Sequence, residues 1–425
     1  MVLPDYRVLV LYLEANFKTK IMGKFVLSFL GLIVSFQLWA QDMAQWRGKD
    51  RDGIYNEKGL LKIWPADGPK LLWHYDELGD GHASAAVTSD RVYTSGTSGN
   101  NGFVIALDHS GKTIWKTEYG KEWMESWEGV RNTPLIAGDK LYTMSGYGVI
   151  ICMDSKSGKI LWTIDFTKNY DGQNIQWGVT ENLLLAGDKL ICTPGGTDAN
   201  IIALNKETGK LIWKSKGDGE KSAYCSPQLI KQGGKSIIVT HTAKNIIGVD
   251  LSDGKLLWKF TWPNQWSVHP NTPLFRDGQL FCSSGYGQGS VMLQLSADGN
   301  SVKELWTHKG LDVQLGGFVV VNGRIYGAGN NGRKWYCLDW TTGKELGSSN
   351  FGKQGNIIFA DGLLYCYGED GKVTLAEPKA DGFGEISKFT IPFGKKQHWA
   401  HLVIDNKKLY IRHGTSLMVY SIAAN

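Results

Sequence analysis

Beyond residue 70 the chain is written in short apolar runs, broken every few residues by polar turns. Such runs, bounded by Gly, Asn and Asp, read as strands, because a helix needs an apolar stripe recurring every three to four residues over a longer stretch. No long segment of helical period follows the first forty residues, so helix content is expected to be low. Ala-Gly-Asp-Lys at 137–140 and 186–189, Asp277-Gly278, Asn322-Gly323 and Asp361-Gly362 each separate two apolar runs. These residues tolerate the positive φ of tight hairpins, so each site predicts a hairpin turn.

The runs recur as one unit: strand, polar turn, strand, loop, strand, a Gly-Lys turn, and a strand ending in Trp. Clear copies end at Cys152–Trp162, Ala203–Trp213 and Gly248–Trp258, and weaker ones at Ala106–Trp115, Gln294–Trp306 and Cys337–Leu346. From Trp73 through Trp115, Trp162, Trp213, Trp258 and Trp306 the spacings are 42, 47, 51, 45 and 48 residues, the length of a four-stranded propeller blade. First strands begin near Ala85, Thr133, Asn182, Ser226, Thr272, Gly317, Ile357 and Ala400. The expected fold is therefore all-β, an eight-bladed β-propeller of four-stranded antiparallel blades. Seven blades is the alternative if the sixth or seventh unit is irregular. The eighth unit holds three strands, and the segment 71–75 is expected to supply its fourth, closing the ring and removing an open edge.

The motif Ala-x-Asp-x-x-Thr-Gly-Lys-x-x-Trp resembles the tryptophan-docking repeat of pyrroloquinoline-quinone (PQQ) propellers. The likeness covers nearly all of residues 71–422, with Trp73, Trp115, Trp162, Trp213, Trp258 and Trp306 as the structural blade tryptophans. Gln45-Trp46-Arg47-Gly48 and Arg51-Asp52-Gly53 are similar to the lead-in segment of the exported, BamB-like members of this group. Fold likeness of this kind does not carry function, because propellers host unrelated activities.

Ahead of the repeats, Met22-Gly23-Lys24 and the apolar run from Phe25 to Phe36 read as a secretion signal, with cleavage after Ala40. The run is shorter than the roughly 20 residues that span a bilayer, so the mature chain is expected to be exported and not membrane-spanning. Met22 is the expected true start. With no Cys near the cleavage point, a lipoprotein is not expected. The expected organisation is 1–40 upstream extension and signal, 41–70 lead-in segment, and 71–425 one propeller domain.

The formal charge is +5, and it falls to about +3 once Arg7, Lys18, Lys20, Lys24, Asp5 and Glu14 leave with the leader. Without a long basic run a nucleic-acid partner is not expected. Six Cys in an exported chain invite disulfides. Here Cys152 and Cys337 share a repeat position in distant blades, and Cys192, Cys282 and Cys366 fall in blades that are not neighbours. Buried free thiols are expected, with Cys192–Cys225 or Cys225–Cys282 as the conceivable bridges.

With strands running A to D from the axis outward, the A–B and C–D turns share one face. The B–C loops and D–A connections share the other. Those connections are long and chemically varied, where binding residues tend to sit on a rigid scaffold. The candidate ligand-binding residues there are His82, Trp127, Arg131, Asn132, Trp177, Glu181, Asn182, Tyr224, Trp266, His269, Asn271, Gln314, His398 and His401. Trp123, Trp262, Trp399, His241 and His413 belong to the same face. His398-Trp-Ala-His401 has an HxxH spacing, but a strand would send its two imidazoles to opposite sides. Glu122, Glu125 and Glu128 recur every third residue without a defined acid–base partner, and Asp50-Arg-Asp52-Gly53 matches only the start of a calcium loop. No catalytic residue and no metal site is assigned. The expected function is a non-enzymatic binding or scaffolding protein, monomeric, with an envelope protein or a carbohydrate as ligand. The resemblance implies one alternative, a dehydrogenase holding PQQ with calcium and oxidising an alcohol or sugar.

Overall fold

The structure, a computed structural model, describes residues 43–173, 175–314 and 317–424. The expected signal and upstream extension lie outside them. Eight sheets, each containing a four-stranded antiparallel meander, form the propeller. Blades 1 to 7 span 86–121, 135–165, 184–215, 228–261, 274–308, 318–349 and 355–390, so the sixth and seventh units are regular. Blade 8 takes three strands from 403–421, and its fourth is Lys70–Tyr75, paired antiparallel with Ser416–Ser421 from Lys70↔Ser421 to Tyr75↔Leu417. The one helix among the described residues is Phe166–Asn169, capped by the Asp165 carboxylate. No helix there is long and apolar enough to cross a membrane.

Second and third strands are buried almost throughout, because each blade is covered on both faces by its neighbours. That double burial is why they read as continuous apolar runs. Cys152, Tyr142 and Ile150 of blade 2, for example, pack with Leu190, Cys192 and Ile202 of blade 3. All six Cys are buried and free, as expected. Burial pushes the Cys152 and Cys225 thiols up to about 12.

Neighbouring blades are clasped by the repeat tryptophans. The Trp73, Trp115, Trp213 and Trp306 indoles donate to the carbonyls of His109, Ser155, Leu251 and Trp340 in the C–D turn of the next blade, at 2.9, 3.2, 3.0 and 3.2 Å. The ring then covers that turn's glycine so closely that a methyl group on Gly254 would lie 2.7 Å from Trp213, and one on Gly343 2.4 Å from Trp306. Trp162 covers Gly209 in the same way. Trp258 departs from the pattern. It folds over Gly248 of its own blade, and the Gly299 of the following turn lies against Ile237 and Gln232.

Every C–D pair, including the composite eighth blade, carries a one-residue bulge at the position next to the repeat tryptophan or its equivalent. Leu72, Ile114, Leu161, Ile212, Leu257, Leu305, Leu346 and Ile386 are the extra residues. A bulge twists the outer strand and spoils its edge as a template for another chain.

Residues 43–55 enter the central channel and turn inside it. Met43–Ala44 climbs antiparallel to the inner strand of blade 2 (Met43↔Ala137), and Ile54–Tyr55 descends parallel to that of blade 7 (Ile54↔Phe359). Between them, Arg47 donates to the carbonyls of Phe318 (2.6 Å) and Asp52 (3.0 Å), and Arg51 to those of Pro227 (2.8 Å), Asn182 (3.2 Å) and Leu183. Gly53 suits this turn, having φ +77° and leaving room for the Arg47 guanidinium, which would lie 2.6 Å from a Cβ.

Two outcomes test this architecture. Gly343→Ala is expected to destabilise the protein by about 1–3 kcal/mol in denaturant titration, from the clash with Trp306 and the strained φ of +69°. Gly362→Ala carries only the φ strain, nothing lying within 4 Å, and is expected to be milder. In a thiol titration the native protein is expected to react negligibly and the unfolded chain to expose six groups.

Candidate functional site

A cavity of about 490 Å³ opens on the face of the D–A connections and B–C loops. Two aromatic walls bound it. Trp399, between blades 7 and 8, lies 5.2 Å from Trp127 and 4.9 Å from His82 by ring centroids. Across the ring, Trp177 lies 6.2 Å from Trp266 and 6.1 Å from Tyr224. Trp127 and Trp266 stand half exposed at the mouth, at 50% and 48%. At the bottom lies Trp46 of the channel loop, 7% exposed, edge-on to His401 with centroids 5.0 Å apart.

One side of the cavity is a chain of amides. Gln314 donates to Tyr286 Oη (2.8 Å) and accepts from Asn330 (2.8 Å) and Gln354 (3.0 Å). Gln354 passes a further bond to Glu369 Oε2 (3.2 Å), and Glu369 Oε1 accepts from the Trp399 indole (2.8 Å). Glu369 thereby fixes the tilt of the Trp399 ring. Opposite stands Arg131, whose guanidinium donates to the carbonyls of Ser126 and Trp127, both at 2.8 Å. Burial lowers its pKa to about 10, which leaves it cationic.

Of the residues expected to bind ligand, His82, Trp127, Arg131, Trp177, Asn182, Tyr224, Trp266, Gln314 and His401 line this cavity. The others are turned away from it. Asn132 donates sideways to Glu181 O of the next blade (2.7 Å), and Asn271 to Val313 O (2.6 Å). Asn356 repeats the bond to Ala400 O (3.1 Å), so these amides tie blade to blade beneath the cavity. Glu181 is buried and accepts from Thr193 N at 2.8 Å and from the Thr193 hydroxyl. Burial raises its pKa to about 7, against which Arg51 and these bonds act. His269 stacks on His241 at 5.1 Å inside the wall. His398 stacks on His413 at 3.7 Å and bonds Tyr367 Oη, whereas His401 lies against Trp46; residues 398–401 form a connection and not a strand, so the two are parted by the path of the loop. Trp123 and Trp262 are buried packing residues.

Trp46, Tyr286 and Glu369 were not among the expected binding residues. Tyr286 and Glu369 sit in B–C loops, which the repeat order already assigns to this face. Trp46 carries no such signal, because its place depends on a chain reversal inside the channel.

Burial also holds the imidazoles neutral. The pKa of His82 falls to about 3 and that of His269 to about 4, by desolvation first, and His241 lies well below the ordinary value. At His82 the Arg131 and Arg412 charges add to the effect, while the Trp127 backbone opposes it. Its ring nitrogens make no hydrogen bond of good geometry.

Comparison with known proteins agrees with the fold. The family model described as outer membrane protein assembly factor BamB matches residues 100–312. BamB of Moranella endobia is 26% identical over 279 residues, 58% of this chain and 64% of that one. Quinoprotein ethanol dehydrogenase of Pseudomonas aeruginosa is 28% identical over 130 residues, 29% of this chain and 20% of that enzyme. The match thus spans about a fifth of the dehydrogenase's length. The crystal structure of BamB from Moraxella catarrhalis superposes with a TM-score of 0.59 at 14% identity, covering 84% of this chain and 98% of that one, a likeness of fold.

The buried groups set opposing pH dependences. A histidine with a depressed folded pKa contributes stability fully present above its unfolded value of ~6.5, and lost as pH falls below it. Glu181, raised to about 7, acts the other way: the folded state gains stability from it as pH falls from about 7 towards the unfolded value. Thermal or denaturant stability measured from pH 7 to 5 is therefore expected to fall less steeply in His269→Asn than in the wild type. In Glu181→Gln it should fall more steeply, each difference being at most about 1.4 kcal/mol per pH unit.

Proposed function

The chain belongs to the PQQ-like β-propeller family, and on that premise we propose that it is an exported, non-enzymatic binding protein whose ligand is a carbohydrate held in the tryptophan-lined cavity. The observation that carries this reading is the pair of aromatic walls facing one another beside a polar side. Sugar rings present apolar C–H faces to aromatic rings and hydroxyls at their edges, and the amide chain through Gln314 supplies donors and acceptors for such edges. The volume of about 490 Å³ falls in the small-ligand range of roughly 300–1,000 Å³.

The half-exposed Trp127 and Trp266 favour a second reading, in which an inserted loop of an envelope protein occupies the same mouth. Kinship with an outer membrane assembly factor supports that partner class.

The dehydrogenase relatives raise a quinone cofactor, and the family resemblance implies calcium beside it. Calcium takes six to eight oxygen ligands, carboxylates foremost. The cavity offers Glu369, whose two oxygens already accept from Trp399 and Gln354. Among the described residues no group of three or more His, Cys, Asp or Glu side chains converges to hold a metal. The residues present do not fit the cation, and no catalytic step is derived through it.

Titration of the full chain with a panel of neutral and acidic oligosaccharides, followed by tryptophan fluorescence and calorimetry, tests the proposal. Saturable binding is expected, weakened about tenfold in Trp266→Ala and in Trp127→Ala. A flat response across the panel sinks the carbohydrate reading. Micromolar binding of PQQ that is lost on chelating Ca²⁺ would replace it with the oxidoreductase.

A further inference from the structure

We propose that the loop plugging the channel, residues 43–55, is itself part of the binding site: Trp46 is the floor on which the ligand stacks, and occupancy of the cavity holds the loop in place. This rests on reading the cavity as a ligand site and assigns to it a residue from outside the repeats.

Three observations carry the inference. Trp46 lines the cavity although it belongs to neither a D–A connection nor a B–C loop. It is brought there by a chain reversal that rises beside blade 2 and descends beside blade 7, so it closes the cavity from below. The loop has little fastening of its own kind. Each of its strand pairings is two residues long, and most of its remaining hold comes from side chains: Arg47 and Arg51 reach the carbonyls of Phe318, Asn182 and Pro227, Gln228 reaches Asp50 O, and Tyr55 reaches Leu402 O.

Segments with few backbone pairings lie at the low end of local stability. A ligand that touches Trp46 binds the docked loop and not the undocked one. By mass action it must then favour docking, and by reciprocity a loosened loop must weaken the ligand.

The probe is 8-anilinonaphthalene-1-sulfonate, an aromatic anion suited to indole faces and to Arg131, added to the full chain. The wild type is expected to bind it saturably at one site. Trp46→Ala should bind it at least about tenfold more weakly, and Trp46→Phe within about threefold of the wild type. In the wild type, amide hydrogen exchange across 43–55 should slow severalfold at saturating dye, a readout that needs no variant to fold. Three outcomes overturn the proposal: no saturable dye binding, wild-type affinity in Trp46→Ala, or unchanged exchange across 43–55. Failure of every oligosaccharide to bind would remove the carbohydrate reading and leave the dye result standing. Sugar binding that ignores Trp46→Ala would remove the floor assignment alone.

Discussion

The placement of one indole ring over one glycine recurs around most of the ring and governs how the blades meet. A tryptophan on an outer strand covers the glycine of the next blade's C–D turn, and in four cases its N–H is satisfied by a carbonyl of that turn. The contact needs a large flat apolar surface on one partner and the absence of a Cβ on the other. A smaller ring would leave a gap, and any side chain at the glycine would push the blades apart. Trp73 shows how far the arrangement reaches. Its strand closes blade 8 by hydrogen bonding, while its side chain clasps Gly111 of blade 1. Five such clasps space the blades, and one of them, Trp73, sits on the strand that closes the ring.

These clasps lie on the face of the A–B and C–D turns, which leaves the other face free of them. That division explains what could be read from sequence. The clasp and the hairpin turns are local in sequence, so their period gave blade number, strand order and the closing strand. Once strand order is known, the face shared by Trp127, Trp177 and Trp266 follows. Direction within a loop does not follow. Asn132 and Asn271 look like ligand donors, yet both turn sideways to bond the adjoining blade. A buried amide must find partners, and a carbonyl of the next blade's connection is nearer than any ligand. Trp46 was illegible for a different reason: nothing local in Gln45-Trp46-Arg47-Gly48 says that the chain re-enters the ring.

The channel explains why that re-entry is favourable. Inner strands have a neighbour on one side only, so carbonyls along the axis need donors from water or from side chains. Arg47 and Arg51 supply them from the loop, while Arg412 serves the seam between blades 8 and 1, donating to Ala83 O at 3.2 Å and Gly414 O at 3.0 Å. Burial lowers these guanidinium pKa values to about 10, 10 and 9, so the groups stay charged at neutral pH. Arginine suits this task because its donors fan out in one plane and can reach carbonyls of several blades at once.

A plugged channel changes what the cavity above it can do. An open axial channel leaves water beneath any ligand, and the ligand's lower face would stay hydrated. With Trp46 beneath it and indoles on two sides, a ring entering between Trp127 and Trp266 gives up water from several faces, and the apolar part of that burial favours binding. Its polar edges then have to be matched by groups already in position. The amide chain through Gln314, Gln354 and Glu369 is held by its own hydrogen bonds before any ligand arrives. Preorganised donors lose little freedom on binding, so under the proposed function that wall would set specificity and the aromatic ones would supply affinity.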